Sequence, residues 1–415
     1  MYGPRAIVRK SKPLLLALLM MSAAAGGASA DSKYALVFLG ERLWAGDVRA
    51  ISLGSNMQLV EDSLALQYNP ATLASARKFT FGVTGYFTMD KGKSADYEET
   101  DASSKVSSFV VGFPVMSRIS LGLGYRGKTD ATANFVTERE TEDGDEYGEF
   151  FNRSGGLTSF PMYAAVRVAR YLQLGGYLSV ERGTFENRWD IIFANPTWNS
   201  AESTQQWSLS GTGFGVGVVI KAPGGVSLGA TYDGEVEYDT SVEERFEVLF
   251  PDGSTYPISD KNYKQTTLVP ERWTFSGAWR FHRLFSIYGT YSTSDFTQFV
   301  GLSFPQDRLY REEMMSGGFE YLKGVPIAGA RVPIRVGGTY IKQPYDSPTG
   351  SRIETILFEF GLGLKLRSGR GKIDLALQGG TTGDLANNLI ENRMFRVYVG
   401  INGAEIWQRH RKDDF

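Results

Sequence analysis

The sequence predicts an all-β fold, a transmembrane antiparallel β-barrel of about 14 strands with a small N-terminal helical hatch inside its lumen. Three observations carry that expectation. From residue 78 onward, apolar residues recur with a period of two in fourteen segments. The connections between segments alternate between long charged stretches and short ones, as strands crossing a bilayer with long outer loops and short periplasmic turns require. The 48 glycines and the aromatic share of 13% suit strands joined by tight turns. A soluble sandwich or propeller is the competing architecture, but it gives no reason for a strict long and short alternation, and no propeller repeat is visible.

Residues 1–30 have the three parts of a secretory signal: Arg5, Arg9, Lys10 and Lys12, then an apolar run over 14–25, then Ala28-Ser29-Ala30. The run is shorter than the roughly 20 apolar residues a membrane-spanning helix needs, so cleavage before Asp31 is expected. The leader holds four basic side chains and no acidic one, so its removal leaves the remainder four charges more negative than the whole chain's −2. That balance presents no basic face for nucleic acid. The chain has no cysteine, which excludes disulfide staples and thiolate metal sites.

Residues 31–77 carry no strand period and too few apolar residues to form a domain, so they are expected to sit inside something else as a hatch or plug. The informative stretch is 61–74. A short helix can run over 63–68 with Asp62 as its cap, and Pro70 ends it. Asn69 can then cap a second helical turn with Pro70 at its first position and Ala71 inside.

The barrel is expected over 78–402, with segments at 78–87, 104–113, 119–129, 158–168, 172–187, 207–221, 226–238, 273–281, 284–295, 314–321, 333–342, 356–366, 372–381 and 394–401. In the twelfth, Ile356, Phe358, Phe360, Leu362, Leu364 and Leu366 share one face, while Leu357, Glu359, Gly361, Gly363 and Lys365 share the other. One face suits lipid and the other water. The long connections are 88–103, 130–157, 188–206, 239–272, 296–313, 343–355 and 382–393, and 322–332 is the one long connection on the short side. The charged end at 403–415 reads as a periplasmic tail.

A leader, an Asn69-Pro70-Ala71 joint ahead of the strands, and the runs Gly317-Gly318-Phe319-Glu320-Tyr321 and Ile334-Arg335-Val336-Gly337-Gly338 resemble the FadL and TodX family of outer-membrane transporters for hydrophobic molecules. The resemblance covers essentially the whole mature chain. It implies a fourteen-stranded barrel whose lumen is closed by a hatch carrying Asn69, Pro70 and Ala71, in the outer membrane of a Gram-negative-type bacterium, and passive uptake of hydrophobic compounds such as long-chain fatty acids. It also implies a kink in the third strand that opens the wall sideways, for which Gly122, Gly124 and Gly127 and, on the next strand, Pro161 are the candidates. Related hatch-bearing barrels serve protein secretion, so a scaffold or secretion partner is the alternative function. The expected partners are a hydrophobic ligand, outer-membrane lipid and the barrel-assembly machinery; no cofactor is implied.

A lumen that passes an amphipathic acid needs apolar walls and one or two cations for the head. Alternation turns Arg126, Arg167, Arg280, Arg335, Lys365 and Arg396 inward, most of them as partners for inward acids such as Glu181, Glu359 and Asp374. Arg126 and Arg335 are the chosen ligand-binding candidates. An enzyme is the reading from another class, but His282 falls in a short turn and His410 in the tail, where neither can serve a triad at the outer mouth. The acidic stretch 138–149 reads as a solvated loop, with calcium binding as the sharper minority reading.

Overall fold

Alternation decides which way each residue faces, and the twelfth segment shows it directly: Phe358 is 70% exposed while its neighbour Leu357 is 2% exposed. The computed structural model describes residues 33–36, 39–44, 46–55, 58–59, 65–94, 98–301, 308–327, 330–366 and 371–405. The leader, most of the tail, the cap Asp62 and His410 lie outside them.

Fourteen antiparallel strands form a closed barrel. They are β1 (Phe79–Lys93), β2 (Glu98–Pro114), β3 in two halves (Ile119–Gly127 and Ala133–Glu140), β4 (Glu146–Arg167), β5 (Leu172–Phe193) and β6 (Ser200–Lys221). β7 (Val226–Asp233 and Val236–Leu249) and β8 (Thr255–Val269 and Arg272–His282) are also halved. β9 (Phe285–Asp295), β10 (Arg311–Ile327), β11 (Ala330–Asp346), β12 (Arg352–Lys365), β13 (Gly371–Thr382) and β14 (Glu391–Glu405) complete the wall. The last strand pairs with the first from Glu391 with Lys93 through Glu405 with Phe79, so no edge is left open.

Each of the fourteen expected segments falls largely within one of these strands, and most of the strands run further. The connections expected at 130–157 and 239–272 are mostly ladder: β3 continues at Ala133–Glu140, and Val236–Leu249 pairs with Thr255–Val269 as a long hairpin. These stretches leave the apolar surroundings that impose a hydrophobic face, so the period fades while the backbone still pairs. The long connection at 322–332 shortens in the same way, because Val325 pairs with Val332. β14 continues to Glu405, past the expected end at 401, because β1 offers it a partner down to Phe79.

The expected strand 119–129 stops at Gly127. Its next residues leave the wall: Thr129–Asp130 pairs with Glu41–Arg42 of the N-terminal segment, and the Leu43 amide donates to the Lys128 carbonyl at 3.0 Å. β7 and β8 break where Gly234 and Pro270 fall, and a proline has no N–H to give a ladder.

Candidate functional site: the filled lumen and its cavity

The N-terminal segment lies against the inner wall at two seats. At the first, Asn69 caps a six-residue 3-10 helix, Pro70–Ser75, its side chain accepting from the Ala71 amide at 3.0 Å. Its amide group also donates to the Val218 carbonyl at 3.2 Å, which ties the cap to β6. The wall is made flat there by glycine. A Cβ on Gly175 would stand 2.5 Å from the Ala71 nitrogen, and one on Gly217 would strike the Asn69 side-chain oxygen. Leu66 and Leu73 then bury themselves among Val110, Tyr163, Ala165 and Tyr177.

The second seat is α1 (Val48–Ile51), capped by Asp47. Arg49 grips Glu320 of β10 with two hydrogen bonds of 2.9 and 2.6 Å. Arg335 donates to the same Glu320 at 3.0 Å and to Asp374 at 2.7 Å, and Lys372 lies 2.9 Å from Asp374. Ser55 donates to Glu359 at 2.6 Å. A buried carboxylate held by two guanidinium groups is stable only as a set, since loss of one partner strands the others without water. Here too the wall yields by glycine: a Cβ on Gly337 would lie 2.5 Å from the Gly54 nitrogen.

Between the N-terminal segment and the barrel lies a cavity of about 240 Å³, lined by Leu39, Trp44, Tyr68, Leu157, Phe214 and Val236 among its apolar residues and by Arg126, Lys128, Glu181 and Asp233 among its polar ones. The charges around it are largely spent on one another. Lys128 holds Glu181 at 2.7 Å, Tyr238 also donates to Glu181, and Arg42 lies 2.8 Å from Glu312, which Arg272 reaches as well. Glu41 is paired with Arg396 at 2.7 Å, and burial still pushes its carboxyl above the ordinary range against the pull of that guanidinium. Arg126 differs. It donates to the Gln67 carbonyl at 2.9 Å and lies over the Tyr177 ring, yet its buried Nε has no hydrogen-bond partner among the described residues.

The structure therefore separates the two chosen arginines. Arg126 lines the cavity, whereas Arg335 is enclosed in the ion-pair network beneath α1 and is not part of the cavity lining. Of the other cations expected inward, Arg396 pairs with Glu41 and Arg167 donates to the Ala74 carbonyl at 2.5 Å, while Arg280 and Lys365 are exposed. Gly122 and Gly124 sit on β3 opposite β4, and the ladder between these strands skips from the pair Leu123 with Met162 to the pair Arg126 with Ser159. Pro161 falls in that gap. His282 accepts from the Leu284 amide at 3.2 Å in its short turn. The acidic stretch forms the end of the hairpin joining β3 and β4, and among the described residues no three acidic or histidine side chains gather as a metal site.

Arg49 and the inward glycines escaped the reading of the sequence. The glycine doublets Gly175-Gly176, Gly317-Gly318 and Gly337-Gly338 were the available signal, because one member of each must face inward.

A closed fourteen-strand barrel with apolar side chains outward and an N-terminal segment inside is the architecture of a transmembrane β-barrel. Solved structures share the fold: a Pseudomonas aeruginosa FadL homologue at a TM-score of 0.64 and 11% identity, covering 88% of this chain and 99% of that one. The CymD monoaromatic hydrocarbon channel has a TM-score of 0.60 at 12% identity, with 88% and 99% covered. The Pseudomonas putida toluene transporter TodX has a TM-score of 0.60 at 14% identity, with 86% and 98% covered. The chain belongs to the BamG family, whose model matches residues 8–414. No curated protein matches it by sequence.

Proposed function

We propose that this barrel is a passive outer-membrane channel for hydrophobic or amphipathic small molecules, with residues 31–77 as its hatch. The observation that carries the reading is the cavity between hatch and wall, apolar on much of its lining and holding in Arg126 a buried guanidinium with a donor to spare. Its fold is shared with a monoaromatic hydrocarbon channel and a toluene transporter, which supports the reading. Ligand pockets span roughly 300–1,000 Å³ for drug-sized molecules, and this cavity falls just below that range at about 240 Å³. It therefore suits a compact hydrophobic molecule, or one stretch of a long-chain fatty acid at a time. An acid would set its carboxylate on Arg126 and its tail against Leu39, Trp44 and Leu157. Exit runs sideways past the interrupted ladder of β3 and β4.

Titration of the purified barrel with a monoaromatic hydrocarbon and with a fatty acid tests this. Arg126→Leu should weaken the acid by about tenfold or more, the worth of one charged hydrogen bond, and leave the hydrocarbon within about twofold. Binding of neither ligand by the unaltered barrel would overturn the reading.

The second reading is a scaffold that works with the barrel-assembly machinery. The family name BamG points that way, and so does the hatch's seat on a buried charge network. Cross-linking in cell envelopes separates the two: a scaffold is captured with the assembly machinery and its loss leaves hydrocarbon uptake unchanged.

A further inference from the structure

On the outward face of β4 to β8 the strands carry a groove of about 730 Å³ that is built from polar residues. The register defines it. One row runs Thr158, Arg182, Ser210, Asp239 across four neighbouring strands, and the next runs Thr184, Ser208, Ser241, Lys264. Arg182, Thr184, Ser208, Asp239, Ser241 and Lys264 are exposed, while the alternate residues Glu181, Leu209 and Thr240 are buried inside the barrel. The groove therefore opens away from the lumen, on the side that meets the membrane. Its floor is shallow because serine and threonine hydroxyls stand where the rest of the wall carries large apolar groups.

Height along the barrel says what it meets. Two residues below Arg182, about 7 Å along the strand, Val180 pairs with Phe160, and both face outward and exposed. One outward row lower, Phe214 opposite Leu178 packs against Tyr232, and Tyr232 against Trp273, with tilted rings whose centroids lie 6.1 and 4.6 Å apart, the kind of aromatic girdle that marks a membrane boundary. Two residues above the groove the outward side chains are Glu186, Gln206 and Glu243. The groove thus occupies the boundary between acyl chains and water, on the side of the long hairpins. Neither Arg182 nor Lys264 has an ion-pair partner among the described residues, whereas Arg188, further up β5, is held by Asp190 and Glu202.

We propose that this groove is a binding site for the phosphorylated sugar headgroup of an outer-leaflet glycolipid. Arg182 and Lys264, three strands or about 14 Å apart across the wall with the Asp239 carboxylate between them, meet phosphates at the two ends of the headgroup, the hydroxyls of Thr184, Ser208 and Ser241 meet the sugar, and the acyl chains descend over Val180 and Phe160. A cation placed one row above lipid-facing apolar residues fits a headgroup that carries its own tails. A free anion would gain nothing from that apolar row.

The test uses the full barrel, purified and exchanged into mild detergent, with bound lipid read by native mass spectrometry. Three probes are offered: a phosphorylated diglucosamine glycolipid, phosphatidylglycerol and inorganic phosphate. The unaltered barrel should retain the glycolipid in preference to phosphatidylglycerol, and the double variant R182A/K264A should retain about tenfold less. Arg393→Ala, an exposed cation on β14 across the barrel, should retain it fully. Heat-modifiable mobility confirms that each variant is folded. Equal retention by R182A/K264A, equal loss in Arg393→Ala, or displacement of the glycolipid by inorganic phosphate at matched concentration would each overturn the site.

Discussion

Arg49 is the residue on which the second seat turns, because it brings a charge from the N-terminal segment onto a glutamate already shared with the wall. With Arg49→Met, Glu320 keeps Arg335 and the Tyr288 hydroxyl, and the set loses its closest tie to the hatch, leaving the longer contact of Lys372 with Asp47 at 3.8 Å. Breaking a buried pair costs about 3–5 kcal/mol, enough to release α1 while the barrel ladder stands. A cysteine placed at Ser55 should then become open to a thiol reagent in Arg49→Met and stay protected without it; equal protection would mean that the network does not hold the hatch. Asn69→Leu removes a cap worth about 1 kcal/mol together with the tie to Val218, and should change uptake while heat-modifiable mobility is kept. No change in either would leave the joint without a functional role. The two cases also mark what a sequence can disclose about a residue. Asn69 and Pro70 were legible because capping is local and needs only the next two residues. Arg126 was legible as an inward cation because period two fixes its face. That Arg335 joins two acids at once was not, since Glu320 reaches it from the adjacent strand β10, Asp374 from β13 beyond β12, and Arg49 shares that Glu320 from a segment with no period at all.

At the scale of elements, β3 is where wall and hatch exchange backbone partners. The stretch Thr129–Asp130 gives up the barrel ladder for Glu41–Arg42, Asp130 is held by Lys105, and the β3 to β4 pairing lapses opposite Pro161. A lateral exit would pass here, and the two glycines do not test it equally. A Cβ on Gly122 would stand 3.3 Å from Leu73 of the hatch, so a valine there disturbs both elements. One on Gly124 meets the Phe109 carbonyl at 3.2 Å and Pro161 at 3.6 Å, within the wall itself. Gly124→Val should therefore lower uptake several-fold while the purified barrel binds its ligand unchanged. Loss of both, or of neither, would sink the sideways route. The glycines and Pro161 singled out in the sequence lie where the β3 to β4 ladder lapses between Leu123 and Arg126, while the departure of 129–130 from the wall was not legible, because the strand that pairs with it comes from residues about ninety positions earlier. The strands themselves were legible wherever lipid imposes a face, and their extensions were not, because a ladder standing in water needs only backbone partners.

At the scale of the whole molecule, orientation joins the separate inferences. Both chain ends of the barrel, Phe79 and Glu405, lie together on the side of the short turns, and the long hairpins stand on the other. Gly144 and Gly253 lie in the turns of two of those hairpins, and a Cβ at Gly253 would meet nothing within 4 Å. Gly224 marks the opposite end, in the turn between β6 and β7. With the short turns periplasmic, epitope tags inserted beside Gly144 or Gly253 should be labelled on intact cells, and tags beside Gly224 only after the envelope is opened. The same measurement bears on the groove. Arg182 and Lys264 lie toward the hairpin end, above the girdle of Phe214, Tyr232 and Trp273, so they face the outer leaflet only in this orientation. Labelling of Gly224 on intact cells, with Gly253 protected, would invert the barrel, turn the groove toward the inner leaflet and remove the glycolipid from its reach.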